Sequence, residues 1–229
     1  MSHLIDTTEM YLRTIYELIE EGVTPRRARI GERLHHSGPT VSQTVARMER
    51  DGLLTLDEDR TILLTESGHR TAVDVMRRHR LVERLLVDVI GLDMPLVHEE
   101  ACRWEHVVST AVEERLVTLL EDPELSPFGN PIPDLADSGA TAIAAFRDGN
   151  APLLDLLPPA GALEVVVSRI GEYLQQGSSL AALVGVGVAP GARVTAERVS
   201  AGVRVAGPSG EAVVPEEAAE HLFVSRDGG

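Results

Sequence analysis

A mainly helical protein with a small β-rich end is the fold class that this sequence predicts, on three observations. The first 121 residues fall into stretches of helical periodicity interrupted by one short alternating segment. Three prolines between Ser126 and Pro133 stop that pattern, because each fixes φ and removes a donor. From Leu163 onward the apolar residues come in short, Val-rich runs bounded by Gly or Pro. At 229 residues the chain can hold several modules rather than one core.

Residues 6–21 read as a helix, with Asp6 as N-cap, Glu9 at the capping-box spacing and Gly22 as the stop. Met10 and Leu18 belong to its buried side. Beyond Pro25, residues 26–34 form a short helix that ends at His35-His36. Those two histidines read as turn residues, since neighbours on a helix point about 100° apart. Ser37 or Gly38 caps the next helix, 39–50, and Pro39 suits its first turn. On that helix Val41, Val45 and Met48 share a narrow sector, while Pro39, Gln43, Arg47 and Arg50 lie opposite. Residues 53–56 and 61–64 alternate around Asp57-Glu58-Asp59-Arg60, a hairpin pattern. Two short helices, a tight turn and a hairpin make a winged helix-turn-helix.

Residues 66–90 and 96–121 read as two longer helices. Residues 134–160, rich in Ala, Gly, Asp and Pro, read as a flexible connection. Short β runs at 164–167, 192–198, 203–206 and 211–214 suggest a small barrel. The expected division is a DNA-binding unit at 1–73, a helical unit at 74–140, a linker at 141–160 and a β unit at 161–229.

Thirty-six acidic residues face 21 basic ones, all arginine, for a net charge of −15, which argues against indiscriminate nucleic-acid binding. The stretch 26–50 runs the other way, with six arginines against two glutamates. A helix-turn-helix in that stretch would set Ser37, Pro39, Thr40 and Gln43 toward base edges in the major groove. Arg27, Ser42, Arg47 and Arg50 would hold phosphates, and Arg60 at the hairpin tip would meet the backbone or minor groove. The single cysteine, Cys102, excludes an internal disulfide and fits a reducing cytoplasm. No apolar run reaches the roughly 18–20 residues of a membrane span, and the first residues lack the pattern of a signal peptide.

The strongest chemical signal lies on the two longer helices. Ala72, Met76, His79, Glu83, Leu86 and Ile90 form one stripe, with a His/Glu pair at i, i+4 in its middle. On the second helix His98, Cys102, Glu105 and His106 share an arc that Val112 and Leu116 continue. Buried imidazoles, carboxylates and a thiol need partners, and a divalent metal ion accepts all three. Mixed S, N and O donors suit Fe(II), Co(II), Ni(II) or Zn(II). A structural zinc site would show paired cysteines, and a calcium site only oxygen. No nucleophile with a base, P-loop or Gly-rich dinucleotide motif appears, so an enzyme is not expected. A metalloenzyme would need an open coordination position and a general base. His3, His69 and His221 stand alone in the pattern. Trp104 points away from the ligand arc, toward a helix or subunit interface.

Four segments carry a resemblance to a known family. They are Asp6-Thr-Thr-Glu-Met-Tyr-Leu-Arg-Thr-Ile-Tyr-Glu-Leu18, the run from Ser37-Gly-Pro-Thr-Val-Ser-Gln to Arg50-Asp-Gly-Leu53, Glu100-Ala-Cys-Arg-Trp-Glu-His106, and Ser126-Pro-Phe-Gly-Asn-Pro-Ile-Pro133. Together they resemble the diphtheria toxin repressor and iron-dependent regulator family of metal-activated repressors, nearly continuously over residues 4–133. The resemblance implies a regulatory metal site at Met10, Cys102, Glu105 and His106, completed by the Cys102 carbonyl and a water. It implies a second site at His79, Glu83 and His98, completed from an SH3-like C-terminal domain by Glu172 and Gln175. It also implies two Fe(II) ions per chain, with Co(II), Ni(II), Zn(II) or Mn(II) as substitutes. The partner it implies is double-stranded operator DNA of inverted-repeat form, bound by one homodimer or two, at iron-uptake genes. A manganese- or zinc-responsive repressor of the same fold is the alternative, though the thiol of Cys102 and thioether of Met10 make Mn(II) less natural.

Overall fold

The computed structural model of the chain describes residues 7–136 and 138–226. The expected cap at Asp6, and His3, lie outside the described residues. The chain begins with α1 (Thr7–Glu20), α2 (Arg27–Leu34) and α3 (Gly38–Arg50), followed by the hairpin β1 (Leu54–Leu56) and β2 (Ile62–Leu64). Ser37 is the residue that caps α3, its hydroxyl accepting from the Thr40 N–H at 3.4 Å. Tyr11, Leu12, Ile15, Ile30, Val41, Val45, Met48, Leu54 and Ile62 close one apolar core beneath the winged helix-turn-helix. The wing is anchored at the start of α4 (Glu66–Arg84), where Thr65 caps the helix and also donates its hydroxyl to the Gly52 carbonyl at 2.7 Å.

A second face of α1 is buried as well, and it is charged. Arg13, Glu17 and Glu20 all lie inside the protein, because α1 is sandwiched between the core of the winged helix-turn-helix and α4. Buried charge is tolerated only when paired. The Arg80 guanidinium on α4 meets Glu20 Oε2 at 2.7 Å and Glu172 at 3.1 Å, joining three parts of the chain at one point.

Helix α4 continues into a π-helical turn over Leu85–Ile90 and closes on Gly91 at φ 74°. The wider turn rotates Ile90 off the core stripe where the 3.6-residue period places it, leaving it 53% exposed. The expected helix over 96–121 is two helices, α5 (Met94–Trp104) and α6 (Thr110–Leu119). Ser109 starts the second by accepting from the Val112 N–H, so the ligand arc does not run on through Val112, which is 48% exposed. Val89, Ile90, Leu96, Val107, Val112 and Leu119 are all exposed apolar residues of this helical unit.

The stretch expected as a flexible linker carries regular structure. It contains α7 (Ala140–Arg147), β3 (Ala151–Pro152) and α8 (Leu153–Leu156). Phe146 of α7 is buried and meets Phe223 edge-on, with ring centroids 5.0 Å apart. The rest comprises β4 (Ala162–Ile170), α9 (Ser178–Gly185), β5 (Arg193–Val199), β6 (Gly202–Gly207), β7 (Gly210–Val214), α10 (Glu216–Ala219) and β8 (Leu222–Ser225). The strands form one antiparallel sheet in the order β3-β8-β4-β5-β6-β7, as expected of a small SH3-like unit. Alternate residues Val165 and Val167, Val194 and Ala196, and Val203 and Val205 face its core.

A register shift between Val167 and Arg169 in β4 re-aims Arg169, which donates to the Ala145 and Phe146 carbonyls at the end of α7. The same guanidinium reaches the Gly129 carbonyl, and Ile170 N–H donates to Phe128 O at 2.9 Å. The proline-rich loop is thus fastened to the end of β4. That placement brings the turn after β4, with Glu172 and Gln175, against α4 and α5.

Gly68 shows how tightly the wing is set. A Cβ there would lie 1.8 Å from the Leu53 carbonyl oxygen, whereas one at Gly38 would meet open space. Gly68→Ala is expected to lower stability by about 1–3 kcal/mol through overpacking against backbone. Gly38→Ala should leave it unchanged in a denaturant melt, and equal stability of the two variants would refute this packing.

Candidate metal centre and DNA-facing helix

Four segments converge on one buried polar cluster: α1, α4, the end of α5 and the turn after β4. His79 stands at its centre, fully buried. Its Nε2 lies 3.0 Å from Glu83 Oε1 one helical turn on, the i, i+4 pairing of α4. Nε2 is also 3.4 Å from Glu172 Oε2, and His98 Nδ1 is 3.4 Å from that same oxygen. Gln175 Oε1 lies 3.0 Å from His98 Nδ1. One donor atom each from His79, Glu83, His98 and Glu172 lies within 4.8 Å of the others. All five residues of the expected second site are therefore together.

The other side of His79 faces the expected regulatory donors. Its Nδ1 donates to Glu105 Oε2 at 2.6 Å, and His79, Cys102 and Glu105 form a second group within 4.8 Å. His106 sits next to Glu105, Nε2 to Oε1 at 3.3 Å, while its Nδ1 is turned to Glu9 at 2.6 Å. Met10 lines a cavity of about 330 Å³ together with Cys102, Glu105 and His106. Glu105 and His106 follow α5 rather than continuing it, since the chain turns at 105–107.

The residue that sequence reasoning missed is Arg13. Its Nη1 donates to Glu105 Oε2 at 2.9 Å and to Cys102 Sγ at 3.1 Å, and lies 3.0 Å from His79 Nδ1. Its Nε is 3.2 Å from Glu17 Oε1. The available signal was spacing: Met10, Arg13, Glu17 and Glu20 recur at 3, 4 and 3 residues, a charged stripe on a helix otherwise reading as core. Arg80 and Glu20 were missed for the same reason. Nor does His221 stand alone, because its Nδ1 meets Glu21 Oε2 at 2.8 Å, in a group that also takes in Arg33. His35 takes the left-handed turn position at φ 52°, and His36 pairs with the Tyr11 hydroxyl. Trp104 is half-buried and donates to Glu100 at 2.8 Å.

The electrostatics of the cluster follow from crowding. Burial disfavours the charged forms of His79 and His98, yet Glu83 beside His79 and Cys102 beside His98 hold both imidazoles well above their ordinary range. Burial raises Glu105, but Arg13 and then His79 bring it below the usual carboxylate value. Burial alone would raise the Cys102 thiol too; Arg13 first, and then His98, bring it to about 7. A donor set of this kind suits a divalent transition-metal ion, and two of its carboxylate oxygens are poorly satisfied by the protein. Glu83 Oε2 and Glu172 Oε2 are buried without a well-formed hydrogen bond. Such orphans are costly unless a cation meets them.

The residues expected to face DNA form a separate surface. Ser37, Pro39, Thr40, Gln43, Arg47 and Arg50 are exposed along α3, and Ser42 and Arg27 are half-buried beside them. Arg60, at the tip of the hairpin, is exposed with φ 60°. Val41, Val45 and Met48 hold the opposite face of α3 to the core, which fixes the exposed one.

Comparison with known proteins bears on both surfaces. Residues 3–62 match the family model described as iron dependent repressor, N-terminal DNA binding domain. Residues 65–134 match the model described as iron dependent repressor, metal binding and dimerisation domain. The iron-dependent repressor IdeR of Mycobacterium tuberculosis is 54% identical over 229 residues, covering 99% of this chain and 100% of that relative. The chain belongs to the iron-dependent repressor family. The diphtheria toxin repressor of Corynebacterium diphtheriae is 67% identical over 139 residues, 61% of this chain and 62% of the relative. Among solved structures, T. acidophilum IdeR is similar with a TM-score of 0.70 at 27% identity, covering 96% of this chain and 97% of that one. ScaR with bound Cd2+ reaches 0.75 at 24% identity, covering 96% and 100%, a likeness of fold. This iron-dependent repressor family member is thus a DNA-binding, metal-binding transcriptional repressor that dimerises, and not an enzyme. Among the described residues, no helix is long and apolar enough to cross a membrane.

The Cys102 thiol gives a direct pH readout of the cluster. Its thiolate is the reactive form, so alkylation of metal-free protein should rise with pH through a midpoint near 7, against an ordinary value of 9.0. A midpoint above 9 would show that burial acts on it without Arg13 and His98.

Proposed function

We propose that this chain is a ferrous-iron-activated repressor that binds inverted-repeat operators as a dimer and controls iron-uptake genes. The observation that carries the reading is the convergence of donors from α1, α4, the end of α5 and the turn after β4. In this reading Met10, Cys102, Glu105 and His106 would hold the regulatory ion. His79, Glu83, His98, Glu172 and Gln175 would hold a second one. A bound divalent ion supplies compact positive charge that satisfies buried carboxylates, imidazole and thiolate at once. Sulfur donors at Met10 and Cys102 favour Fe(II), Co(II) or Ni(II) over Mn(II), and cellular availability decides among them. The ionisable lone thiol of Cys102 suits the reducing cytoplasm.

The proposed division is a winged helix-turn-helix unit at 1–73, a dimerisation and metal-binding unit at 74–140 and an SH3-like unit at 161–229. Met10 belongs to the helix on which the winged helix-turn-helix is built, and Cys102, Glu105 and His106 to the dimerisation unit. Joining them fixes the angle at which α3 is offered to DNA, and hence the spacing of the two recognition helices in a dimer. His79 turns one nitrogen toward each donor group, so the state of one group alters the other. The exposed apolar residues Val89, Ile90, Leu96, Val107, Val112 and Leu119 supply the dimer surface. Ser37, Pro39, Thr40 and Gln43 read bases, while Arg27, Ser42, Arg47, Arg50 and Arg60 position the backbone. One or two dimers then occupy each operator.

Operator binding measured by fluorescence anisotropy is expected to tighten by about 5–150-fold on adding Fe(II), Co(II) or Ni(II), the range of typical allosteric couplings. Glu105→Ala and His106→Ala should abolish the gain. Undiminished operator affinity after chelation would refute the switch. On the DNA side, Gln43→Ala should relax sequence preference with little change in salt dependence. Arg47→Ala should weaken binding evenly across sequences and flatten the salt slope by about one unit. Identical behaviour of these two variants would contradict the division between base readers and phosphate holders.

A further inference from the structure

The proposed regulatory donors already carry a cation of the protein's own. Arg13 is 4% exposed, and its Nη1 meets Glu105 Oε2 at 2.9 Å and Cys102 Sγ at 3.1 Å. These are two of the atoms that the reading above gives to the regulatory ion, and this inference rests on that reading. We propose that Arg13 is a resident counter-cation of the regulatory site, one that sets the metal threshold because its guanidinium must leave before an ion can load.

Three points support the exchange. A transition-metal ion sits about 2.0–2.3 Å from oxygen or sulfur ligands and uses the same lone pairs that accept from Arg13. Two cations a few ångströms apart in a buried site also repel, which favours departure of the guanidinium. Arg13 already holds a second carboxylate that can keep it: its Nε lies 3.2 Å from Glu17 Oε1, one turn along α1. Glu17 has spare capacity there, since its Oε1 is buried without a well-formed hydrogen bond.

The exchange also moves the attachment of α1. Before loading, α1 is tied to the residues that follow α5 through Arg13 on Glu105 and through Glu9 on His106. After it, the tie runs through Met10, three residues earlier on the same helix and so on the same face. The guanidinium thus serves two ends. It neutralises an anionic donor set that would otherwise be exposed to any stray cation, and it makes weakly binding metals pay the cost of expelling it.

The test compares wild type with Arg13→Met, Arg13→Gln and Arg13→Lys in the full chain, without DNA. Co(II) is titrated, binding is read from the thiolate-to-cobalt absorption band, and melting temperatures are taken with and without the metal. Arg13→Met and Arg13→Gln remove the charge at similar length, and Arg13→Lys keeps it. The neutral variants are expected to bind Co(II) at least about tenfold more tightly than wild type, with lower metal-free melting temperatures and larger metal-induced shifts. Arg13→Lys should stay near wild type. Equal or weaker Co(II) binding in both neutral variants, with the thiolate band present, overturns the role of Arg13 alone. A wild type that binds Co(II) without a thiolate band overturns the regulatory-site reading and the proposal with it.

Discussion

Too many buried acids in one place is the constraint on which the rest of this structure depends. Glu17, Glu20, Glu83, Glu105 and Glu172 all lie inside the protein, within one region where α1, α4, α5 and the turn after β4 meet. Removing carboxylates from water is costly, and only cations at short range make it tolerable. Two arginines supply part of the compensation. Arg80 joins Glu20 to Glu172, and Arg13 joins Glu17 to Glu105. Glu83 and Glu172 each keep one oxygen without a well-formed partner. The cluster is charge-balanced enough to fold and unbalanced enough to call for a further cation.

That balance explains why the parts of the chain sit as they do. α1 is buried on two sides, one apolar and one charged, so it belongs at once to the DNA-binding unit and to the metal-binding one. Arg80 reaches into the β unit through Glu172, and Glu21 reaches it through His221. Changes in the central cluster are therefore felt along α1, and α1 supports the helix-turn-helix through Tyr11, Leu12 and Ile15. In the proposed reading, the route from ion to α3 is short and runs through packed helices.

How much of this was legible in the sequence depends on range. The winged helix-turn-helix was readable because its determinants are local: the Ser37 cap, the Gly52 stop, and a wheel with Val41, Val45 and Met48 on one side. The donor residues were readable in the same way, as polar groups on apolar helical stripes. The break after Trp104 was not, since neither proline nor glycine marks it, although Ser109 ahead of Val112 is a cap in plain sight. The stretch 134–160 reads as a linker because many of its residues are small, polar or proline. Its order comes from afar, from Arg169 capping the end of α7 and Phe223 packing on Phe146. Arg13 hid for a similar reason, since a lone arginine on a helix looks like solvent-facing charge until the opposite wall is known.

The proposed function requires one ion to join α1 to the end of α5. The most direct test is a crystal of the full chain loaded with Co(II), with cobalt located by its anomalous scattering. A cobalt peak in ligand contact with both Met10 Sδ and Cys102 Sγ is expected, with the Arg13 guanidinium moved away from Glu105. A peak bounded by Cys102, Glu105 and His106 with Met10 turned away, or Arg13 still seated between Cys102 and Glu105, would contradict it.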